Sequence, residues 1–209
     1  MNNIHPTAIV SPKATIGKGN TIGAYTIIHD NVVIGDNNFI DSYVSIGSNG
    51  EIKDCKEFNG IVRIGDNNVI KEFVTIQIGV KGATIVGNDC LLMSKCHIGH
   101  DATLFNNIVV STGAKIGGHV IIREHSNIGL NAVIHQRLTI SKGVMIGMGT
   151  TVTKNIIAFS KVAGNPCRLL GVNQYTIDKR GLDSKSIHLL FRNNLDKVNK
   201  EWLTEWKKK

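Results

Sequence analysis

The 209-residue sequence has few aromatic residues, few prolines and few cysteines. Aromatic residues make up 5% of the chain while glycine contributes 22 residues, a mix that suits a tightly wound β structure with many turns rather than a helical globule. The four cysteines form no Cys-x-x-Cys pair, so we expect free thiols in a reducing compartment and neither a zinc site nor a disulfide framework.

Segments that direct a protein to or through a membrane are also missing from the pattern. No apolar run is long enough to span a bilayer, so we expect no transmembrane segment. The start at Met1–Pro6 lacks a basic region followed by an apolar stretch, which predicts no signal peptide and a cytoplasmic location. The net charge is +8, but basic and aromatic residues do not interleave, so we expect an anionic small-molecule partner rather than nucleic acid.

What the sequence does contain is an aliphatic residue at every sixth position. Glycine often follows this key residue, as in Ile16-Gly17 and Ile116-Gly117. The runs are Ile4, Val10, Ile16, Ile22, Ile28, Ile34, Ile40, Ile46; then Ile64, Ile70, Ile76; then Val86, Leu92, Ile98, Leu104, Val110, Ile116, Ile122, Ile128, Ile134, Ile140, Ile146, Val152.

Each six-residue unit is interpreted as a short strand and a turn, with the key aliphatic residue pointing inward. Three units complete one triangular coil, and successive coils stack through backbone hydrogen bonds. A sandwich of alternating strands would show a period of two and would not hold this phase. The pattern therefore predicts an all-β solenoid, a parallel β-helix of hexapeptide repeats.

Interruptions of the period divide the chain. We predict a β-helix over residues 1–163, with loop insertions near 48–60 and 79–84, and a C-terminal turn and helix over 164–209. Solenoid insertions form loops on one face, which is often the binding face. The helix, capped by Asp183 or Ser184, would present an apolar face. Its members are Ile187, Leu190, Phe191, Leu195, Val198, Trp202 and Trp206.

Histidines mark the candidate site. His97 and His100 flank the inward Ile98, so both should point outward, and Asp101 follows them. One coil further along, Gly118 would stack on His100, with His119 beside it; His135 and Gln136 lie on the same side. A neutral histidine can deprotonate a hydroxyl or an amine, and the Gly118 N–H could stabilise an oxyanion, which favours acyl transfer. Exposed histidines on a solenoid wall, and a solvated turn residue at Asp101, remain open as alternatives.

The sequence resembles the UDP-N-acetylglucosamine acyltransferases of lipid A synthesis over nearly its whole length. The segments that carry the resemblance are Asn2–Val10, Leu91–Asp101 with its motif His97-Ile98-Gly99-His100-Asp101, Gly117–Val120, Val133–Gln136, Gly171–Asn173 and Lys179–Gly181. The resemblance implies a left-handed β-helix and a homotrimer with active sites between subunits. It implies no bound cofactor, and acyl-coenzyme A or acyl carrier protein as co-substrate. We expect no metal, because no third and fourth ligand converge obviously on the histidines.

Residue roles follow from the same resemblance. It implies that His100 is the general base and that the Gly118 N–H is the oxyanion donor. For Asp101, orientation of the base is predicted from its position beside His100 alone. It further implies substrate contacts from His97, His119, His135, Gln136, Asp54, Lys56, Asn173, Lys179 and Arg180, the last three at the nucleotide phosphates.

The sequence departs from the family pattern at three places. Gln77 and Ile78 stand where a histidine and an arginine usually follow the strand. Met148 replaces a glycine at the floor of the acyl groove, which would shorten the groove, and the C-terminal region is short. These departures favour related sugar acyltransferases that transfer short acyl groups, often from coenzyme A.

The function predicted from the sequence is transfer of a short acyl group from a thioester to the amino or hydroxyl group of a UDP- or dTDP-linked amino sugar, in cell-surface glycan or lipid A synthesis. One alternative is the carrier-protein-dependent 3-O-acyltransferase of lipid A synthesis itself. Two others are a non-catalytic solenoid binding protein and a solenoid carbonic anhydrase, which would need three zinc-binding histidines shared between subunits.

Overall fold

A computed structural model describes residues 1–193, which form a left-handed parallel β-helix followed by a hairpin and helices. The strands, numbered in chain order, are β1 (Asn3–Ile4), β2 (Ile9–Val10), β3 (Thr15–Ile16), β4 (Thr21–Ile22), β5 (Ile27–Ile28), β6 (Val32–Ile34), β7 (Phe39–Ile40), β8 (Ser45–Ser48), β9 (Ile61–Ile64), β10 (Val69–Ile70), β11 (Thr75–Gln77), β12 (Ala83–Val86), β13 (Leu91–Leu92), β14 (His97–Ile98), β15 (Thr103–Leu104), β16 (Val109–Val110), β17 (Lys115–Ile116), β18 (Ile121–Ile122), β19 (Asn127–Ile128), β20 (Val133–Ile134), β21 (Thr139–Ile140), β22 (Met145–Ile146), β23 (Thr151–Val152), β24 (Ser160–Ala163) and β25 (Arg168–Val172).

Every third strand joins the same parallel sheet. The first sheet contains β1, β4, β7 and their successors up to β22 and β24; the second runs from β2 to β23 and the third from β3 to β21. Ile4 pairs with Ile22 and Ile22 with Ile40, so a regular coil advances by 18 residues. We call the turn after a first-sheet strand corner 1, the turn after a second-sheet strand corner 2, and the turn after a third-sheet strand corner 3.

The core lies inside this triangle and is built from the predicted key residues. Ile40, Ile70, Leu92 and Ile98 are fully buried, because each points inward at the same level as its counterparts in the other two sheets. Ile4 is 42% exposed because the first coil has no coil beneath it. The structure thereby confirms the hexapeptide register and the predicted fold class.

Buried asparagines add a polar ladder inside corner 3. The Asn20 side-chain oxygen accepts hydrogen bonds from the Asn38 backbone N–H at 2.8 Å and from its amide at 3.0 Å. Asn38 repeats this arrangement with Asn68 one coil further, at 2.9 and 3.0 Å. The Asn68 oxygen then accepts the Cys90 N–H. Buried polar side chains thus join four successive coils.

Both insertions leave the coil at corner 2. The first occupies residues 49–60, between β8 and β9. The second is shorter than predicted, residues 78–82, because Ala83 and Thr84 belong to β12, where they pair with Ile61 and Val62 of β9.

The C-terminal part differs from the predicted turn and single helix. β24 pairs antiparallel with β25, and a short helix α1 (Gln174–Lys179) precedes the predicted helix α2, which is described over residues 184–193. Asp183 caps α2: its side chain accepts from the Lys185 N–H at 3.1 Å. Ile187 and Phe191 are buried, whereas Leu190 is 57% exposed and lies off the apolar face.

The remaining predicted members of that face, Leu195, Val198, Trp202 and Trp206, lie outside the described residues. Among residues 1–193, no helix has the length and apolar character needed to cross a membrane.

Candidate active site

His100 and Asp101 lie together at corner 2, directly after β14. Asp101 Oδ2 is 2.9 Å from His100 Nδ1 and also accepts the Val80 N–H at 3.0 Å. The Asp101 N–H donates to Thr84 Oγ1 at 2.8 Å. Both side chains are largely buried, with 13% and 11% of their surface exposed. The second insertion and β12 therefore hold the carboxylate, and the carboxylate holds the imidazole.

These contacts determine the protonation pattern of the pair. Burial by itself would raise the pKa of Asp101, but the hydrogen bonds from His100 and Val80, with the nearby histidine charges, lower the pKa overall. The carboxylate is therefore ionised and can only accept a hydrogen bond, so Nδ1 of a neutral His100 carries the proton. The lone pair is then on Nε2, which is the arrangement that a general base requires.

Gly118 faces this lone pair. A Cβ atom placed on Gly118 would lie 2.5 Å from His100 Nε2, a distance that no side chain tolerates. Within residues 1–193 the Gly118 N–H donates to no protein acceptor, whereas the flanking Gly117 and His119 N–H groups bond to Ile134 O and His100 O. A free N–H beside a base is suited to stabilise negative charge on a reacting oxygen.

His119 completes the immediate surroundings of the pair. Its ring lies edge-on to that of His100, with 5.0 Å between the centroids, and its Nε2 is 3.9 Å from Asp101 Oδ2. Burial lowers the pKa of His119; Asp101 opposes this shift, while Arg137 and His100 reinforce it. A second neutral imidazole is therefore available for hydrogen bonding to a substrate.

An open cleft of about 500 Å³ lies over His100, Asp101 and His119. Its walls come from both insertions and from the next two coils. The other lining residues are Ile52, Val80, Lys81, Gly82, Gln136 and Arg137. Both insertions therefore border the histidine cleft.

The other predicted histidines lie around this centre. His97 faces outward from β14, and its Nδ1 is 2.8 Å from Thr75 Oγ1 one coil below. Burial lowers the pKa of His97; Glu51 opposes the shift, and Lys115 and His100 add to it. His135 is exposed at corner 2, directly after β20 and two coils above Gly99, and its Nδ1 hydrogen bonds to Gln136 O at 3.1 Å.

His100, Asp101 and His119 could also be considered as metal ligands, since each places one suitable atom within 4.8 Å of the others. However, Asp101 Oδ2 already accepts from Val80 and His100. The carbonic anhydrase interpretation needs three histidines, and these residues offer two imidazoles and a carboxylate. Within the described chain the cluster fits an oriented base better than a zinc site.

Comparisons with known proteins identify the family. A family model described as bacterial transferase hexapeptide (six repeats) matches residues 13–48. The structure of LpxA from Acinetobacter baumannii is 30% identical, with 90% of this chain and 81% of that chain covered and a TM-score of 0.82. LpxA from Bacteroides fragilis, a UDP-N-acetylglucosamine acyltransferase, is 33% identical, with coverage of 90% and 83% and a TM-score of 0.80. The chain belongs to the LpxA family of acyltransferases.

A further member, the UDP-N-acetylglucosamine O-acyltransferase LpxA from Moraxella catarrhalis, is 30% identical. The match covers 98% of this chain and 93% of that chain, with a TM-score of 0.75. No curated protein matches the chain significantly by sequence.

Because the structural relatives show that this LpxA-family chain is an acyltransferase, the alternative of a non-catalytic solenoid is set aside.

Lys179 and Arg180 of this LpxA-family chain do not lie at the histidine cleft. Lys179 is the last residue of α1 and Arg180 is its C-cap. Both line a depression of about 310 Å³ at corner 3, at the other end of the third sheet, together with His125 and Tyr175. A connected depression of about 270 Å³ also includes Lys142. Within one chain, Lys179 and Arg180 are therefore separate from the predicted substrate residues at the histidine cleft.

Asn173 has a different role from the one predicted. Its side chain is the N-cap of α1: the oxygen accepts the Thr176 N–H, and the amide donates to Gly143 O at 2.9 Å and to Thr176 Oγ1 at 2.8 Å. The side chain is buried, with 3% of Asn173 exposed, and both amide protons are used. The predicted contact of Asn173 with nucleotide phosphates is therefore replaced by helix capping.

The remaining predicted residues are exposed. Asp54 and Lys56 lie on the first insertion, and neither side chain makes a hydrogen bond or ion pair within residues 1–193. Met148 lies at corner 1 and is 73% exposed, one coil above Leu130 at 44%. These side chains are free to meet a ligand or another subunit.

Some site residues were missed in the sequence. Gln77, noted there only as a departure, is buried and its Oε1 accepts the His100 N–H at 3.3 Å. Arg137 lies one coil after His119 and two after Asp101, so the spacing that placed Gly118 on His100 could have found it. The spacing gave no such signal for Thr84, because the interrupted period predicts a loop there.

Proposed function

We propose that the protein transfers a short acyl group from an acyl thioester, acyl-coenzyme A or acyl-carrier protein, to the amino or hydroxyl group of a UDP- or dTDP-linked amino sugar. The relatives named above are UDP-N-acetylglucosamine acyltransferases, which supports a nucleotide-sugar acceptor. The product would serve cell-surface glycan or lipid A synthesis from the cytoplasm.

The observation that carries this proposal is the stacking of Gly118, whose N–H donates to no acceptor within residues 1–193, against His100 Nε2. His100 would remove the proton from the acceptor group as its oxygen or nitrogen attacks the thioester carbonyl carbon. The carbonyl oxygen would take up negative charge beside the Gly118 N–H. Collapse would break the carbon–sulfur bond, and the leaving thiolate would take the proton back from the imidazolium. Asp101 would keep the imidazole in the required tautomer throughout.

A short acyl chain is proposed because the Met148 side chain is bulky and lies at corner 1. Met148 stands where the family resemblance implies a glycine at the floor of the acyl groove, and its exposed side chain projects from the coil. A methionine there would fill the space that a long chain needs, so we propose a short acyl group. The alternative is a carrier-protein-dependent 3-O-acyltransferase with long hydroxyacyl groups.

We also propose a homotrimer. The large apolar side chains of the coil that are most exposed lie on the first and second sheets and at corner 1, and among residues 1–163 none lies on the third sheet. They include Tyr25, Tyr43 and Phe73, which stack at 5.2 Å centroid distances along corner 1, and Ile9, Ile27, Phe39, Val69, Leu130, Val133 and Met148. Exposed apolar surface of this extent marks an interface.

Closed threefold symmetry places the first sheet of one subunit against the second sheet of the next, with corner 1 near the axis. The outer edges of that interface are then corner 2 of one subunit and corner 3 of its neighbour. His100 of one chain would thus face Lys179 and Arg180 of another, and the basic pair would hold the nucleotide phosphates. The proposed trimer joins the two halves of the site that one chain keeps apart.

The test is a mass-spectrometric panel of purified protein with UDP- and dTDP-linked amino sugars against acetyl-, butyryl- and 3-hydroxyacyl thioesters of coenzyme A and carrier protein. We expect one acylated sugar nucleotide, formed fastest with a short acyl donor. A product made only from long 3-hydroxyacyl carrier protein would replace the proposal by its alternative. Absence of any product, with no binding of UDP sugars, would refute both.

A further inference from the structure

The basic depression at corner 3 contains His125, which is not among the predicted site residues. His125 Nδ1 is 2.9 Å from Arg180 Nη1. His125 and Arg180 line both depressions, so their contact lies where the two depressions adjoin. Since an arginine side chain only donates hydrogen bonds, Nδ1 must be the acceptor and must carry no proton.

The backbone on both sides of this contact is fixed. His125 has a φ of 62°, and its N–H donates to Asn106 O. The adjacent Ser126 is buried, with its Oγ bonded to Ser141 O at 3.0 Å. On the other side, Ile177 of α1 is fully buried and Asn173 caps the helix. What remains free is the long Arg180 side chain, and the imidazole fixes its direction.

Carboxylates would otherwise compete for Arg180. Glu124 and Asp89 line the same depressions, and an arginine forms stronger bonds to a carboxylate than to a neutral imidazole. The cations facing the depressions are Lys142, Lys179 and Arg180. Three cations around the two depressions give a positive charge that suits an anionic ligand such as a diphosphate, provided that Arg180 is not drawn to a carboxylate.

We propose that His125 is a positioning residue that directs the Arg180 guanidinium towards the phosphates of the nucleotide sugar. The inference rests on the proposed function, in which Arg180 binds these phosphates. It adds that nucleotide affinity depends on a neutral His125, because an imidazolium would repel Arg180 instead of accepting from it. Burial lowers the pKa of His125; the charges of Arg180 and Lys142 support this shift and Glu124 opposes it.

The experiment compares His125→Gly with His125→Asn in the full-length protein. Both residues tolerate a positive φ, so neither strains the turn. Asparagine keeps an acceptor near the position of Nδ1, and glycine removes it. The probes are UDP and UDP-N-acetylglucosamine, with uridine as the ligand that lacks phosphate, and binding is measured by calorimetry.

We expect His125→Gly to weaken UDP binding about tenfold, a difference of about 1.4 kcal/mol, with uridine binding unchanged. His125→Asn should bind UDP nearly as well as the wild type. Between pH 7.5 and 5.5, the ratio of wild-type to His125→Asn affinity should fall, because only the wild type loses its acceptor on protonation; ionisation of UDP itself cancels in the ratio.

Equal UDP affinity of the wild type and His125→Gly would overturn the inference and leave the proposed function in place. So would equal weakening by glycine and asparagine, which would show that the imidazole acts by its shape. If the wild type binds neither UDP nor the UDP sugar, the proposed function fails, and the inference fails with it.

Discussion

At the scale of single residues, the site depends on the absence of a side chain at Gly118. The base, its orienting carboxylate and the open N–H are brought together because His100 and Gly118 occupy the same corner position in successive coils. The sequence predicted this contact, since one coil separates the two residues. It could not predict that Gln77 supports the His100 backbone, because that contact depends on where a buried side chain turns.

Replacing Gly118 by alanine should abolish most of the activity. The new Cβ would lie 2.5 Å from His100 Nε2 and would force the ring out of line with Asp101. We expect kcat to fall by roughly a hundredfold or more, the range in which misplacement of a catalytic group acts. The control is Asn67→Gly, which removes an exposed side chain at corner 3, where the φ of 57° suits glycine. Unchanged kcat in Gly118→Ala would contradict the stacking.

The lowered pKa values of His97, His119 and His125 predict how stability depends on pH. Each histidine is harder to protonate in the folded chain than at its ordinary pKa of 6.5. Unfolding therefore takes up protons, and the free energy of unfolding decreases as the pH falls below 6.5 towards the folded pKa values.

Urea denaturation at pH 7.5 and 5.5 measures this effect. The double variant His119→Asn and His125→Asn keeps residues that tolerate the positive φ at both positions. It should lose less stability on acidification than the wild type. An equal loss in the two proteins would show that these histidines do not contribute.

At the scale of secondary-structure elements, the coil was predictable and the C-terminal part was not. Each hexapeptide carries its own signal, an inward aliphatic residue and a turn, so the register follows from local sequence. The β24–β25 hairpin and α1 carry no such period. α1 has six residues, and only Thr176 and Ile177 are buried, so its place is determined by packing against corner 3.

The asparagine ladder gives an element-scale prediction. Asn38 is 1% exposed and bonds to both Asn20 and Asn68. Asn38→Leu would leave the buried Asn68 N–H without its acceptor, and we expect a loss of about 2–3 kcal/mol of unfolding free energy. The control Asn67→Gly changes an exposed residue at a positive φ and should alter stability by less than about 0.5 kcal/mol. Denaturation curves with equal midpoints for Asn38→Leu and wild type would contradict the ladder's contribution.

At the scale of the whole molecule, the two halves of the predicted site lie at different corners of the triangle. The sequence could not reveal this separation, because the position of α1 relative to the coil is not encoded in the repeat. The exposed apolar surface on the first two sheets supplies the physical reason why copies of the chain should join the halves.

If the protein is a trimer, its mass in solution should be about 68 kDa, three times that of the 22.7 kDa chain. Replacing Tyr43 and Phe73 by asparagine removes two stacked rings from corner 1 at positions whose positive φ suits asparagine. We expect this variant to dissociate and to lose activity, as measured by analytical ultracentrifugation. Ile121→Thr on the third sheet is the control and should stay trimeric. A wild type that sediments as a monomer with full activity would refute the shared site.

The central claim is that His100 is the base of an acyl transfer to a nucleotide sugar, and its most direct test is the turnover of His100→Ala against the wild type. With the best donor and acceptor from the panel, we expect a loss of about a hundredfold to ten-thousandfold in kcat, while sedimentation and UDP-sugar affinity stay unchanged. Activity of His100→Ala within a few-fold of the wild type would contradict the account.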